Sequence, residues 1–234
     1  MIKKIINQFH KSLFFGSIFH TLNYCLQEEL RDCDTVLDIG CGPSSPLQYC
    51  KNIKHSVGVE AFKPYLIASQ KNKIHNEYLD KNIADLDFLD NSFDAVIMID
   101  VLEHLTDEKG IEILKKVEKW AIKKVVISSP NGFVIQQEAD NNPLQKHLSG
   151  WSYGRMKKLG YVSHGLAGLK ILRCEGVNTD TMIDGDMANS IRFKPKKFWF
   201  IVSAVSQIFV YFIPSLAYSL FNVKLKNDER NTIN

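Results

Sequence analysis

Four groups of residues combine types and spacings suited to chemistry. In "TVLDIGCGPSSPL", residues 35 to 47, an apolar run ending in Asp38 leads into Gly40, Cys41 and Gly42. Glycines at such a point let the backbone turn tightly and approach a ligand closely, and the carboxylate can accept hydrogen bonds from an amine or a ribose hydroxyl. A second run, "HSVGVEAF", ends in Glu60 and Ala61, about twenty residues on, where a doubly wound domain places the acid that holds both hydroxyls of a ribose. Asp100, Glu103 and His104 stand at i, i+3 and i+4, so a helix beginning near residue 100 would put them on one face. His147, in "NPLQKHLSGWS", follows a fifth apolar run and can return to the same rim. Three acid and imidazole groups plus a second histidine suit a divalent cation that polarises an acceptor oxygen.

The elements needed to position these residues are legible in the same stretch. Short apolar runs at Val36–Ile39, Ser56–Val59, Ala95–Ile99 and Val125–Ser128 alternate with helical stretches around 62 to 73 and 107 to 122. That alternation predicts βαβ units whose strands are covered on both faces, with ligands outside their carboxyl ends. A nucleoside ligand fits the glycines and Glu60. The dinucleotide fingerprint G-x-G-x-x-G does not fit, because Ser45 occupies its third glycine.

Taken in order, "VLDIGCG", "VGVE", "NSFDAVIMIDVLEHL" and "KKVVISSPNGF" resemble the class I S-adenosylmethionine-dependent methyltransferases, of the type 11/12 kind, over residues 34 to 162. The resemblance implies an α/β, Rossmann-like, doubly wound and mostly parallel seven-stranded sheet with an antiparallel last strand. It implies S-adenosylmethionine as cofactor, with Asp38, Gly40, Cys41 and Gly42 near its methionine part, Glu60 and Ala61 at its ribose, and Asn82 and the Ile83 N–H at its adenine edge. Asp100 would lie near the methionine end. Two positions depart from the family: Ser44 replaces a frequent third glycine, and Asn82 replaces the usual Asp at the adenine turn. The segment from Asp100 to His104 with His147–Trp151 is also similar to the metal-binding E-x-x-E-H and H-x-x-x-W segments of small-RNA 2′-O-methyltransferases; ubiquinone-biosynthesis O-methyltransferases share the E-H part. Asp100 stands where the first Glu would be. Three roles are open for Asp100, Glu103, His104 and His147: a divalent metal site, a metal-free catalytic base at His104 or His147, or a structural one.

Composition narrows the partners. With 234 residues, 45% of them hydrophobic, the chain can build one sizeable domain, and five cysteines without paired spacing suggest neither a disulfide framework nor a zinc knuckle. A reducing, cytoplasmic setting is expected. A net charge of +3 and no basic, aromatic-rich stripe point away from nucleic acid. Residues 2 to 14 read as an amphipathic helix, within an N-terminal helical region 1–33, and not as a signal peptide. The catalytic domain is expected over 34–226, with an apolar helical insertion at about 195–214 and a tail at 227–234. From Phe198 to Ile213 the insertion is too short to span a bilayer, and Ser203, Ser206 and Gln207 share one helical face behind Lys194, Lys196 and Lys197. It reads either as a helix lying on the inner face of a membrane or as one buried on the sheet or in a dimer contact. Trp151 and Tyr153 suit the core or acceptor stacking equally. The expected reaction is O-methylation of a sugar, a lipid-linked glycan or another small metabolite. Metal-assisted methylation of RNA ribose and a non-catalytic scaffold are the alternatives, and the oligomeric state is not readable.

Overall fold

The computed structural model describes residues 13–138, 140–173 and 190–226. The helix expected over 2 to 14 and the tail at 227–234 fall outside these residues, apart from the start of α1 (Leu13–Phe19).

Strands β1 (Thr35–Ile39), β2 (His55–Glu60), β3 (Glu77–Asp80), β4 (Phe93–Ile99) and β5 (Ala121–Pro130) are joined by parallel pairings. β6 (Val162–Leu169) and β7 (Ala217–Leu225) complete seven strands in the order 3-2-1-4-5-7-6. β7 lies antiparallel between β5 and β6, as expected of the last strand. β1, β4 and β5 are nearly continuous buried runs because helices cover both faces of the sheet. On one face α4 (Asp107–Trp120) supplies Ile113, Leu114, Val117 and Trp120 to the core. This helix starts where Thr106 accepts the Lys109 N–H and where Asp107 and Glu108 complement its positive end. On the other face α2 (Leu22–Glu29) brings Cys25 and Leu26 against Val36, Ile97 and Phe221. α3 (Lys63–Asn72) packs on β2 and β3, and α5 (Tyr153–Lys158) precedes β6.

α6 (Lys196–Val210) lies along β6, the edge strand. An edge strand offers unpaired N–H and C=O groups. Here side chains of α6 satisfy them: Gln207 accepts from the Gly168 N–H at 2.9 Å and donates to the Gly165 carbonyl at 3.1 Å, and Ser206 accepts from the Leu169 N–H. Ser203, Ser206 and Gln207 are therefore buried. Gly168, at a bulge of β6 with φ +74°, has the Ser203 carbonyl where a side chain would stand. Phe198, Ile201, Val205 and Phe209 consequently face outward, while Val210 is buried at the helix end.

Trp151 belongs to the core. It is fully buried and donates to the Leu102 carbonyl and Ser149 Oγ, while Arg155 covers its ring at 3.7 Å, so it does not stack on an acceptor. Tyr153 packs partly buried against the same cluster.

Candidate functional site

A cleft of about 610 Å³ opens along the carboxyl ends of β1, β2 and β4. Asp38, Gly40, Cys41, Gly42, Glu60, Ala61, Asn82, Ile83, Asp100 and His104, all singled out in the sequence, line it. The loop after β1 is tied to β2 through its own backbone: the Gly40 and Cys41 N–H groups donate to the Val59 carbonyl, and the Gly42 N–H donates to Glu60 Oε2 at 3.0 Å. Both glycines have positive φ, +67° and +56°, which L-residues adopt only with strain. A side chain at Gly40 would also strike Val101.

Glu60 is buried and accepts a second N–H, from Phe62, at 2.8 Å. Burial raises its pKa, and the two backbone donors work against that rise. The result is a carboxylate fixed in place at the strand end. Asp38 is engaged differently: its Oδ2 accepts from Ser45 Oγ at 2.5 Å and faces His75 Nε2 at 2.9 Å. Sequence reasoning missed His75 and this use of Ser45. Nothing in the spacing links residues 38 and 75; only the β2–β3 connection brings them together. The Cys41 thiol is buried, which raises its pKa and keeps it protonated rather than nucleophilic. Asn82 caps the short turn Ile83–Asp85 by accepting the Ala84 N–H, a role that an Asp here would fill equally.

The expected helix at residue 100 is absent. Asp100 turns into the left-handed region at φ +54°, Val101 at φ −125° and ψ −40° is neither helical nor extended, and only Leu102–His104 form a short 3-10 turn. Asp100, Glu103 and His104 therefore do not share a helical face. Asp100 points into the cleft, where Ser128 Oγ donates to it at 2.9 Å; crowding by protein raises its pKa, and that hydrogen bond opposes the rise.

Glu103, His104 and His147 do converge. One ligand atom from each lies within 4.8 Å of the others, and Asp100 is outside this group. His147 Nδ1 faces the Val134 carbonyl at 2.7 Å and His104 Nδ1 faces the Lys146 carbonyl at 3.2 Å. Such contacts assign the proton to Nδ1 and leave Nε2 as a lone-pair donor. Burial lowers both imidazole pKa values, favouring the neutral ligand form. Glu103 is buried with Oε2 lacking a hydrogen-bond partner, and burial, then the Asp100 charge, hold its pKa well above the usual range. An orphaned carboxylate oxygen beside two imidazole lone pairs fits a cation. Around the rest of the cleft, Leu22, Asn23, Tyr49 and Tyr65 also contribute walls, and the Tyr65 hydroxyl donates to Asp140 across it.

Residues 37–123 match a family model described as "Methyltransferase domain". The chain is 30% identical over 106 residues to (S)-tetrahydroprotoberberine N-methyltransferase of Eschscholzia californica, covering 42% of this chain and 29% of that one. It spans less than half the length of the curated relatives it matches. Among solved structures, a SAM-dependent methyltransferase from Archaeoglobus fulgidus is similar at TM-score 0.51 and 17% identity, with 91% and 98% of the two chains covered. Coclaurine N-methyltransferase, bound to N-methylheliamine and SAH, gives TM-score 0.53 at 14% identity, covering 87% and 70%. At these identities the likeness concerns the fold. The family match spans β1 to β5, and the order of the seven strands and the glycine loop at the end of β1 agree with it in giving this part of the chain the likeness of a methyltransferase domain.

Proposed function

We propose that the protein transfers a methyl group from S-adenosylmethionine to an oxygen of a small acceptor that enters the cleft beside His104. The observation that carries this reading is Glu60, held by two backbone N–H groups at the strand end beside the Gly40–Gly42 loop, in the place suited to a ribose diol. Asn82 and Ile83 form the adenine end and Asp38 and Asp100 the methionine end of the same cleft. The sulfonium cofactor supplies an electrophilic methyl carbon. The chain's part is to hold the acceptor oxygen in line with it, exclude water and lower the cost of losing the hydroxyl proton.

For that last task we assign Glu103, His104 and His147 to a divalent cation, on the strength of the unpartnered Glu103 Oε2 and the two anchored imidazoles. A cation there would polarise a hydroxyl and return Glu103 to its ionised form. An oxygen acceptor, on a sugar, a lipid-linked glycan or a small metabolite, is favoured because polarisation serves a hydroxyl. A neutral amine already carries its nucleophilic lone pair.

The test is incubation with methyl-labelled S-adenosylmethionine and separated cell-extract fractions. Label in small metabolites or lipid extract, on oxygen by base-stable ether linkage, is the expected result. Label confined to RNA would replace this acceptor by ribose, and tight cofactor binding with no label anywhere would make the protein a scaffold.

A further inference from the structure

α6 is inverted relative to an ordinary surface helix. Its polar residues Ser203, Ser206 and Gln207 are buried against β6, whereas Phe198, Ile201, Val205 and Phe209 point outward at helical spacing, with Ile201 62% and Phe209 66% exposed. Phe212 and Ile213 extend this face beyond the helix end. α1 packs beside α6 and adds Phe14, 79% exposed, and Ile18. Contiguous apolar surface of this kind marks an interaction site.

Charge tells what covers it. From Met187 to Lys226 the sequence has no Asp or Glu, and the first carboxylate of the chain is Glu28, so both segments forming the face lack negative charge. Arg192, Lys194 and Lys197 are exposed at the start of α6. Next to them a second cleft, of about 620 Å³, is lined by Lys170, Arg173 and Arg192 with the exposed Ile171 and Leu216, and among the described residues no carboxylate lines it. β6 runs parallel to β5, both being antiparallel to β7, so this cationic cleft lies at the same end of the sheet as the first cleft. Cations bordering an apolar helical face match an anionic lipid surface, with phosphates at the rim and acyl chains beneath. With 15 residues α6 is about 22 Å long, and no helix among the described residues is long and apolar enough to cross a membrane.

We propose that the outward face of α6, flanked by α1, docks in the plane of an anionic phospholipid membrane. Phe198, Ile201, Val205 and Phe209 enter the acyl boundary, while Arg192, Lys194 and Lys197 meet the lipid phosphates. Docking presents the end of the sheet that carries both clefts to the lipid–water boundary, where an acceptor on a lipid carrier would be found.

The full chain is centrifuged with vesicles of phosphatidylcholine containing 30% phosphatidylglycerol (probe composition, roughly that of an anionic membrane), and with phosphatidylcholine alone. This readout needs no methyl transfer, so it stands apart from the acceptor assignment. Pelleting with the anionic vesicles is expected, reduced at raised salt, and accompanied by a blue shift of Trp199, which lies on α6 while Trp120 and Trp151 are buried in the core. Ile201→Asp with Phe209→Asp should abolish pelleting with the melting temperature unchanged. The surface variant Arg192→Gln, Lys194→Gln and Lys197→Gln should weaken partitioning by about fivefold per cation removed. Absence of pelleting with a folded protein would overturn the proposal. So would a concentration-dependent dimer lost in the Asp double variant, which would assign the face to a second copy of the chain.

Discussion

The Gly42 N–H donates to Glu60 Oε2 at 3.0 Å, so the loop after β1 and the end of β2 hold each other in position before any ligand arrives. Glu60→Ala removes both the proposed ribose acceptor and this tie. S-adenosylhomocysteine binding should weaken by about 1.5 to 3 kcal/mol, the scale of hydrogen bonds to a charged group. Isothermal calorimetry decides the matter, and unchanged affinity would remove Glu60 from the site.

Gly40 combines φ +67° with a position where a Cβ would stand 2.5 Å from Val101 Cγ2. Gly40→Ala should cost about 1 to 3 kcal/mol of stability from strain alone and displace Val101, which also lines the cleft. Gly42, with open space around it, should tolerate Ala better sterically, losing mainly the conformational term. Urea unfolding of the two variants should separate clash from strain.

If Glu103, His104 and His147 hold a cation, chelator should abolish methyl transfer and a divalent metal should restore it. His147→Ala and Glu103→Gln should each lower the metal content of purified protein, measured by elemental analysis, with an affinity loss at least as large as the roughly 10- to 100-fold that follows loss of an outer hydrogen-bond partner of a ligand. Full activity in excess chelator would leave these side chains with the metal-free base or structural role.

Gln207 serves two backbone groups of β6 at once. Gln207→Leu keeps the bulk and leaves the Gly168 N–H and Gly165 carbonyl unpaired beneath α6, a loss of about 1 to 3 kcal/mol for each group left buried. Hydrogen exchange should show the Gly168 amide losing protection while the β1 and β4 amides keep theirs.

His20 and His164 stack on opposite sides of Tyr211, at centroid distances of 3.8 and 4.4 Å. Burial lowers both imidazole pKa values; the charge of His164 adds to the effect at His20, and Glu29 opposes it at His164. The unfolded chain, with histidines near 6.5, then binds more protons than the folded one below that pH. Stability from this source is complete above about pH 6.5 and declines as pH falls toward the lowered folded values. Glu60, Asp100 and Glu103, raised by burial, have the opposite sign, so a difference between variants is the proper readout. His164→Phe retains a ring against Tyr211 and cannot titrate. Between pH 7.5 and 5.5 (test conditions, about one unit either side of 6.5) the wild type should lose melting temperature relative to this variant.

The parallel half of the sheet was legible because buried strands must be continuous apolar runs, and because glycine and an acid at a strand end have few other uses. Gly40, Gly42 and Glu60 follow from that logic. Asp100 was misplaced because an acid gives no warning that it will adopt φ +54°, and i, i+3, i+4 spacing matters only inside a helix. His75 escaped notice since its partner, Asp38, is distant in sequence. For α6 the spacing of Ser203, Ser206 and Gln207 identified one face but not its direction. That depended on the unpaired edge of β6, which only the assembled sheet presents.

The position of β7 bears on how the molecule is made. Residues 217 to 225 sit between β5 and β6, so during synthesis the β5 edge stays open while roughly ninety further residues are added, and β6 has no strand to join. The parallel half, β1 to β5, can collapse as it emerges from the ribosome, but the far third of the sheet forms only when a late segment threads into a waiting gap. A ribosome-stalled chain ending before residue 217 should therefore be aggregation-prone at the β5 edge, and chaperone dependence should disappear once β7 has cleared the exit tunnel.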